Sequence, residues 1–195
     1  PELYGALFCE AFEYTGNGSI DEFYKLSKSI EEYYNTNIDN KLKYWKDNLL
    51  SCEPIGISNS NNASNNKGEQ LAITLDNKTK ENIQHVSEQL NMSVYSVLFG
   101  LFSLTLSKFS GKNSLVIATN IDERMFAPTY KNVPGCFINN TFIINAINSK
   151  DTLSTCLSKT AENILTAINN MVPFAELLSL NRELVLELAD IHFNI

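Results

Sequence analysis

The most constraining pattern in this chain is a helix-length segment that is apolar on much of its circumference and is followed at once by a short apolar run. Val97, Leu98 and Leu106 are spread around a helix over residues 94–109, and a helix apolar on most sides is a buried helix. The run SLVIAT at residues 114–119 is typical of a strand buried on both faces. Because these two elements must be covered, the chain is predicted to fold as helices layered on a sheet.

Other segments show helical or strand periodicity. Ser19 and Glu22 fit a capping box, Ser93 fits an N-cap, and Asp151 or Thr152 fits the N-cap of a later helix. Eight of the eleven residues at 58–68 are Ser or Asn, a composition that predicts a mobile surface loop. Further helices are expected at residues 3–14, 19–34, 38–50 and 153–168 and through Ile83, Val86 and Leu90, and further strands at 71–75, 136–145 and 189–195.

Length and pattern together favour one domain. The chain has 195 residues, which suits a single hydrophobic core better than two. With at least four predicted strands, long helices and no internal repeat, the predicted fold class is α/β, a mixed sheet covered by long helices.

Charge and hydropathy exclude several classes of function. Fifteen Lys and Arg residues face 22 Asp and Glu residues, giving a net charge of −7 without a basic run, so a nucleic-acid surface is not expected. No apolar stretch reaches the about 18 residues of a membrane span, and no charged-then-apolar leader precedes a small-residue cleavage site. We expect a cytoplasmic protein, and because the chain starts at Pro1 we expect it to be a fragment.

Chemistry-bearing residues are sparse. The four cysteines are scattered without a metal-binding spacing, so no metal site is indicated. The only histidines are His85, expected on a helix surface, and His192, which shares a strand face with Asp190 and could form an acid–base pair with it. Asn139 and Asn140 interrupt an apolar strand, and a buried amide there must be hydrogen-bonded or costs about 1–3 kcal/mol. Each is read either as part of a strand edge or bulge or as a group projecting into a pocket.

Several segments, in order along the chain, resemble the later part of the condensation domains of non-ribosomal peptide synthetases. The strand pattern of that family is similar to PGCFINN at residues 134–140, which contains Gly135, Phe137 and Asn139. A polar stretch with an arginine upstream resembles IDER at 121–124, and VPFAELL at 172–178, with Pro173 and Phe174, resembles a Pro-Phe-Glu segment. Tyr44 and Trp45 are similar to the opening of the second subdomain, and the final strand IHFN at 191–194 is similar to the last core strand.

The chain also departs from that family. Glu123 stands where glycine is frequent, Asn140 replaces a threonine and Ala175 a glutamate, and residues 169–171 lack the usual His-Gln-Asp. The Arg-Asn-Pro that usually leads into the final strand is absent too. The catalytic His-His-x-x-x-Asp-Gly motif, which in the family precedes a segment like residues 1–14, does not occur. The resemblance therefore implies the C-terminal lobe of a condensation domain, with residues 1–37 as connecting helices and 38–195 as the lobe proper.

What the resemblance implies is a two-lobed, chloramphenicol-acetyltransferase-like enzyme that forms an amide bond between two carrier-tethered aminoacyl or peptidyl substrates. Upstream and downstream peptidyl carrier domains would deliver the phosphopantetheine arm, so no cofactor is expected on the chain itself. Asn139, Arg124 and Asn140 would lie at the substrate tunnel, whereas Gly135, Phe137, Pro173, Phe174 and Trp45 would be structural. The N-terminal lobe would supply the catalytic histidine, and an exposed lobe face could promote self-association.

Two alternatives stay open. The departures at residues 123, 140, 175 and 169–171 fit a degenerate, non-catalytic lobe that docks carrier domains or other synthetase modules. A stand-alone acyltransferase using Asp190 and His192 is a third reading. With the motif absent, the chain alone is expected to have no condensation activity.

Overall fold

The computed structural model describes residues 20–56 and 70–194. The predictions for residues 3–14, for the Ser19 cap and for the loop at 58–68 lie outside this part of the chain. The described elements are α1 (Ile20–Asn35), α2 (Ile38–Leu49), α3 (Asn77–Gln89), α4 (Val94–Ser110), β1 (Ser114–Asp122), β2 (Ile138–Ala146), α5 (Leu153–Asn169), α6 (Phe174–Leu180) and α7 (Arg182–Leu188), with two short 3-10 turns at Glu123–Phe126 and Pro128–Tyr130.

Helix starts follow the sequence signals. The Ser93 hydroxyl accepts a hydrogen bond from the N–H of Ser96 at 3.0 Å, as predicted for the N-cap of α4. Thr152, and not Asp151, caps α5, because its hydroxyl accepts from the N–H of Thr155 at 3.2 Å.

The sheet of the described residues is small and has two antiparallel strands. β1 and β2 pair antiparallel from Ser114 opposite Ala146 to Asp122 opposite Ile138, which confirms two predicted strands. A third segment adds in parallel at one bridge, where the N–H of Ala118 donates to the carbonyl of Ile191 and the N–H of Phe193 donates to the carbonyl of Ala118, both at 2.9 Å. Long helices cover this sheet, so the predicted α/β class is confirmed, whereas the sheet of the described residues is antiparallel and its parallel part is limited to that bridge.

Two strand predictions are wrong. Residues 71–75 form no strand, and the strand predicted at 189–195 is reduced to the bridge at His192 because Ala189 ends α7 as its C-cap. The described residues thus hold two strands and one bridge where at least four strands were expected. Alternating apolar residues predict which face could be buried, but a strand exists only where another strand satisfies its backbone groups.

Two hydrophobic clusters hold the described residues together. The larger one lies between the sheet and helices α2, α4, α5, α6 and α7 and includes the fully buried Trp45, Phe99 and Phe142. The smaller one packs α1 against the β1–β2 connection, through Leu26, Ile30 and Phe137 among others.

Gly100 permits the close approach of α4 and α5. A Cβ built there would lie 2.5 Å from Leu157 Cδ2, which is closer than van der Waals contact allows. The glycine inside this helix thus allows the close packing, at a propensity cost of about 1 kcal/mol.

No single helix among residues 20–56 and 70–194 is long and apolar enough to cross a membrane. One helix pair, α3 with α4, passes the length and composition test jointly, but the two helices are bent by 106° at the break between them.

Candidate functional site

Asn139 is the centre of the described site. It lies near the start of β2, opposite Ile121, and its side chain is buried. Its Nδ2 donates to the hydroxyl of Tyr34 at 2.9 Å and to the carbonyl of Val172 at 2.8 Å, and its Oδ1 accepts from the N–H of Phe174 at 3.0 Å. Both amide hydrogens and the amide oxygen are thus used inside the chain, as burial of an amide requires.

Tyr34 extends this network from α1. Its hydroxyl donates to the carboxylate of Glu123 while it accepts from Asn139. Burial raises the pKa of Tyr34 well above its usual value, and the neighbouring Glu123 raises it further. Burial also raises the pKa of Glu123, although the hydrogen bond from Tyr34 counteracts part of that rise. This carboxylate is the residue that departs from the glycine frequent in condensation domains.

Arg124 organises the connection between the two strands. Its guanidinium donates to the carbonyls of Val133 and Gly135 at 2.9 and 2.7 Å and pairs with Asp122 at 3.0 Å. The guanidinium carbon also lies 4.9 Å from the centre of the Phe137 ring, within the range of a cation–π contact. These partners all lie between Asp122 and Phe137, in the connection between the two strands or at the end of β1.

Gly135 has to be a glycine for two reasons. Its φ of 144° lies where L side chains are rarely found, and a Cβ would lie 2.6 Å from the Phe137 ring. Phe137 in turn packs on Phe23 of α1, with ring centroids 5.2 Å apart. This aromatic pair holds α1 against the start of β2, the strand that carries Asn139.

The break between α5 and α6 lies beside Asn139. Pro173 precedes α6 as its N-cap, and Phe174 packs toward Phe142, with 6.2 Å between ring centroids. On the other side of the break, the indole N–H of Trp45 donates to the carbonyl of Asn170 at 2.7 Å, which satisfies a free carbonyl at the end of α5.

The structure brings most of the predicted residues together, but not Asn140. Successive side chains of a strand point to opposite faces, so Asn140 lies on the face opposite to Asn139. It is half-buried and makes no side-chain hydrogen bond among the described residues. Two residues beyond Asn139 on its own face, the hydroxyl of Thr141 is buried and has no partner in this part of the chain.

Two residues of this network were not singled out from the sequence as site residues. Tyr34 reads as part of the apolar stripe of α1, and Glu123 only as a departure from a family pattern. The one available signal was physical: a buried amide at Asn139 needs partners, but the sequence does not say that Tyr34, 105 positions away, is one of them.

The predicted Asp190–His192 pair lies elsewhere. Both residues are exposed and line a cleft of about 610 Å³ between α4, β1 and α7. No hydrogen bond joins their side chains. His85 is exposed on α3, and no group of three potential metal ligands occurs in the described ranges.

The comparisons with known proteins point to one family. The family model of the condensation domain matches residues 15–195. Among curated proteins, surfactin synthase subunit 1 of Bacillus subtilis is 24% identical over 104 residues, and gramicidin S synthase 2 of Brevibacillus brevis is 27% identical over 112 residues. These matches cover 53% and 57% of this chain but only 3% and 2% of the respective relatives.

Solved structures share the fold. The first condensation domain of the calcium-dependent antibiotic synthetase superposes with a TM-score of 0.65 at 17% identity, over 94% of this chain and 40% of that one. SgcC5 from Streptomyces globisporus gives a TM-score of 0.69 at 14% identity, over 83% of this chain and 37% of that one. The family model covers nearly the whole sequence and the architecture agrees, so the chain belongs to the condensation domain family.

Proposed function

We propose that this chain is part of a condensation domain that forms an amide bond between two carrier-tethered aminoacyl or peptidyl substrates in a cytoplasmic non-ribosomal peptide synthetase. The observation that carries the proposal is the family match over residues 15–195. In this proposal, peptidyl carrier domains deliver both substrates on phosphopantetheine arms. The chain supplies one wall of the tunnel and part of the docking surface for carriers.

In this reaction, the chain supplies structural support for the substrate tunnel and does not supply the catalytic base. It contains no His-His-x-x-x-Asp-Gly sequence, so the histidine that positions or deprotonates the attacking amine would come from another lobe, where such a base contributes about a hundred- to ten-thousandfold in rate. Asn139 and Arg124 would shape the tunnel wall by fixing β2 and its preceding loop, since the amide of Asn139 is already fully hydrogen-bonded within the chain.

The test is a condensation assay with two aminoacyl-loaded carrier domains. We expect the isolated chain to yield no dipeptidyl carrier above the uncatalysed rate, and the protein encoded by its whole gene to yield product. In that protein, replacing the second histidine of an upstream His-His-x-x-x-Asp-Gly with alanine should abolish product. Turnover by the isolated chain, or an inactive whole protein with an intact motif, would contradict the proposal.

The second candidate is a non-catalytic condensation-like lobe that docks carrier domains or synthetase modules. The departure at Glu123 favours it, because this carboxylate has become part of a structural hydrogen bond with Tyr34. The sequence upstream of Pro1 separates the two candidates: a degenerate motif there, together with carrier binding but no turnover, would favour docking.

A further inference from the structure

Apolar burial alone does not fix the pairing of β1 with β2. Both strands are buried at most positions, and a shift of the pairing by two residues would keep every side chain on its own face. The connection over residues 123–137 is much longer than the two-residue turn that sets the register of a tight hairpin. Among the described residues, only one bridge extends this two-stranded ladder. The observed register therefore needs a further determinant.

Asn145 provides a polar anchor near the end of β2. Its side chain is buried, and its Nδ2 donates to the hydroxyl of Ser103 on α4 and to that of Thr160 on α5, each at 3.1 Å. Its Oδ1 accepts from Nδ2 of Asn163 on α5 at 2.7 Å. Both amide hydrogens and the amide oxygen thus have partners, and all of these partners belong to helices.

The neighbouring strand β1 is anchored to the same helix. Thr119 is buried, and its hydroxyl donates to the carbonyl of Phe193 at 2.8 Å. The hydroxyl therefore accepts in the hydrogen bond of 2.6 Å that joins it to the hydroxyl of Tyr95 on α4. Tyr95 and Ser103 belong to the same i, i+4 row of α4, so one ridge of this helix contacts both strands through directional bonds.

A shift of β2 by two residues would break its anchor. Two residues of a strand correspond to about 7 Å, which is more than the length of a hydrogen bond, so the amide of Asn145 would leave Ser103 and Thr160. Asn139 lies on the same face of β2 and would lose its own three partners at the same time. A buried amide without partners is strongly disfavoured. The observed register satisfies both amides, whereas its two-residue shifts satisfy neither.

We propose that α4 sets the register of the β1–β2 pair, because Ser103 holds Asn145 of β2 and Tyr95 holds Thr119 of β1. In this proposal, Asn145 selects the observed strand pairing against its two-residue shifts and does not simply add stability. The inference concerns the fold of this chain and does not depend on its proposed role in condensation.

The hydroxyl partners of Asn145 make selection distinguishable from stabilisation. The hydroxyl of Ser103 donates to the carbonyl of Phe99, and that of Thr160 donates to the carbonyl of Cys156, each at 2.9 Å. Asn145→Leu therefore leaves neither hydroxyl donor unpaired, and it removes the polar group that would penalise a shifted register.

Disulfide trapping reports the register directly. In a Cys136→Ser background, the pair Ser114→Cys and Ala146→Cys reports the observed register, because these exposed residues lie opposite each other. The pair Asn120→Cys and Ile138→Cys reports a two-residue shift, because these exposed residues come to lie opposite each other only after that shift. A disulfide needs Cα atoms within about 7 Å, and diagonal residues of a sheet lie about 7–8 Å apart, so the second pair should oxidise slowly in the parent chain.

Asn145→Leu should raise the rate of disulfide formation between positions 120 and 138 roughly tenfold or more, because the shifted register no longer buries an unpaired amide at position 145. The rate is measured under mild oxidation, with the disulfides mapped by mass spectrometry and the fold checked by circular dichroism. The matched control Asn140→Leu removes an amide of the same strand that makes no side-chain hydrogen bond among the described residues. This control should leave the rate unchanged.

A second variant removes the same contact from the side of the helices. Ser103→Ala with Thr160→Val keeps Asn145 but removes both of its acceptors, so the amide hydrogens lose their partners in the observed register and the same disulfide should again form faster. This variant also tests the proposal if the larger leucine at position 145 prevents folding. An unchanged rate in either folded variant would overturn the proposal, and a lower urea midpoint without a faster disulfide would show that the network only adds stability.

Discussion

Replacement of Asn139 by alanine gives the sharpest test of the site. The change removes three hydrogen bonds, those with the Tyr34 hydroxyl, the Val172 carbonyl and the Phe174 N–H. Each contributes about 1 kcal/mol net, and a buried partner left unpaired costs about 1–3 kcal/mol. Val172 is fully buried, so its carbonyl cannot turn to water. We expect the free energy of unfolding to fall by about 3 kcal/mol, measured by urea denaturation.

The neighbouring asparagine supplies the control. Asn140→Ala removes an amide of the same size from the same strand, but that amide makes no hydrogen bond among the described residues. Asn140→Ala should therefore lower the free energy of unfolding by no more than about 0.5 kcal/mol. If the two alanine variants lose equal stability, the hydrogen bonds of Asn139 do not hold the α5–α6 break in place and the reasoning fails.

A double-mutant cycle isolates the bond between Asn139 and Tyr34. Tyr34→Phe removes the hydroxyl that accepts from Asn139 and donates to Glu123. The double variant with Asn139→Ala should lose about 1 kcal/mol less free energy of unfolding than the two single variants lose together. The reason is that each single change already removes the shared hydrogen bond. Additive losses would show that the two side chains are not coupled.

Three further changes test the packing and the charge of the lobe. Trp45→Phe should lower the free energy of unfolding by about 1–2 kcal/mol in urea denaturation followed by circular dichroism, because it leaves the Asn170 carbonyl unpaired. Gly100→Ala should destabilise by about 1 kcal/mol or more despite its better helix propensity, and much less in a Leu157→Ala background that removes the clashing atom. Burial raises the folded-state pKa of Glu123, so its stabilising contribution is complete below the unfolded pKa of about 4.3 and is lost as the pH rises through the folded pKa. Glu123→Gln should therefore gain stability relative to the parent chain as the pH rises from acid to neutral, whereas a pH-independent difference would contradict the shift.

The helices could be predicted because their signals are local. The capping residue Ser93 lies directly before the helix it caps, as predicted. The helix itself is buried along one face, through Val97 and Leu106 among others, whereas Leu101 on another side is 36% exposed. Local signals also predict β1 and β2, whose apolar runs are buried at most positions. In these elements, local preference and tertiary packing agree.

The remaining strands could not be predicted because strand formation is not local. In residues 71–75, Leu71, Ile73 and Leu75 alternate with Ala72 and Thr74, but no described residue makes a backbone hydrogen bond with this segment. The strand predicted at 189–195 was wrong for a different reason. The preceding segment forms α7, which ends at Ala189, and in the described residues only His192 then pairs with β1.

The site was predictable only in part. The sequence marks Asn139 as an amide that needs partners, but its one side-chain partner, Tyr34, and its two backbone partners, Val172 and Phe174, lie 105, 33 and 35 positions away. Arg124 is expected at the substrate tunnel, in its floor or in the contact between the lobes, and this role stays a prediction. Its described hydrogen bonds and ion pair are with Val133, Gly135 and Asp122.

Hydrogen bonds, and not apolar packing alone, fix α1 relative to the sheet. Adjacent tyrosines of this helix reach three different elements. Tyr33 donates to the carbonyl of Ile168 in α5 at 2.5 Å, and Tyr34 bonds to Asn139 of β2 and to Glu123 of the first 3-10 turn. Apolar contacts alone would allow the helix to slide or rotate, whereas directional bonds at two points do not. Under the proposed function, the catalytic histidine belongs to a part of the domain that precedes residues 1–14, and therefore precedes α1. A loss of the Tyr34 hydroxyl would then misplace that histidine relative to the tunnel wall and lower kcat more than it lowers carrier binding.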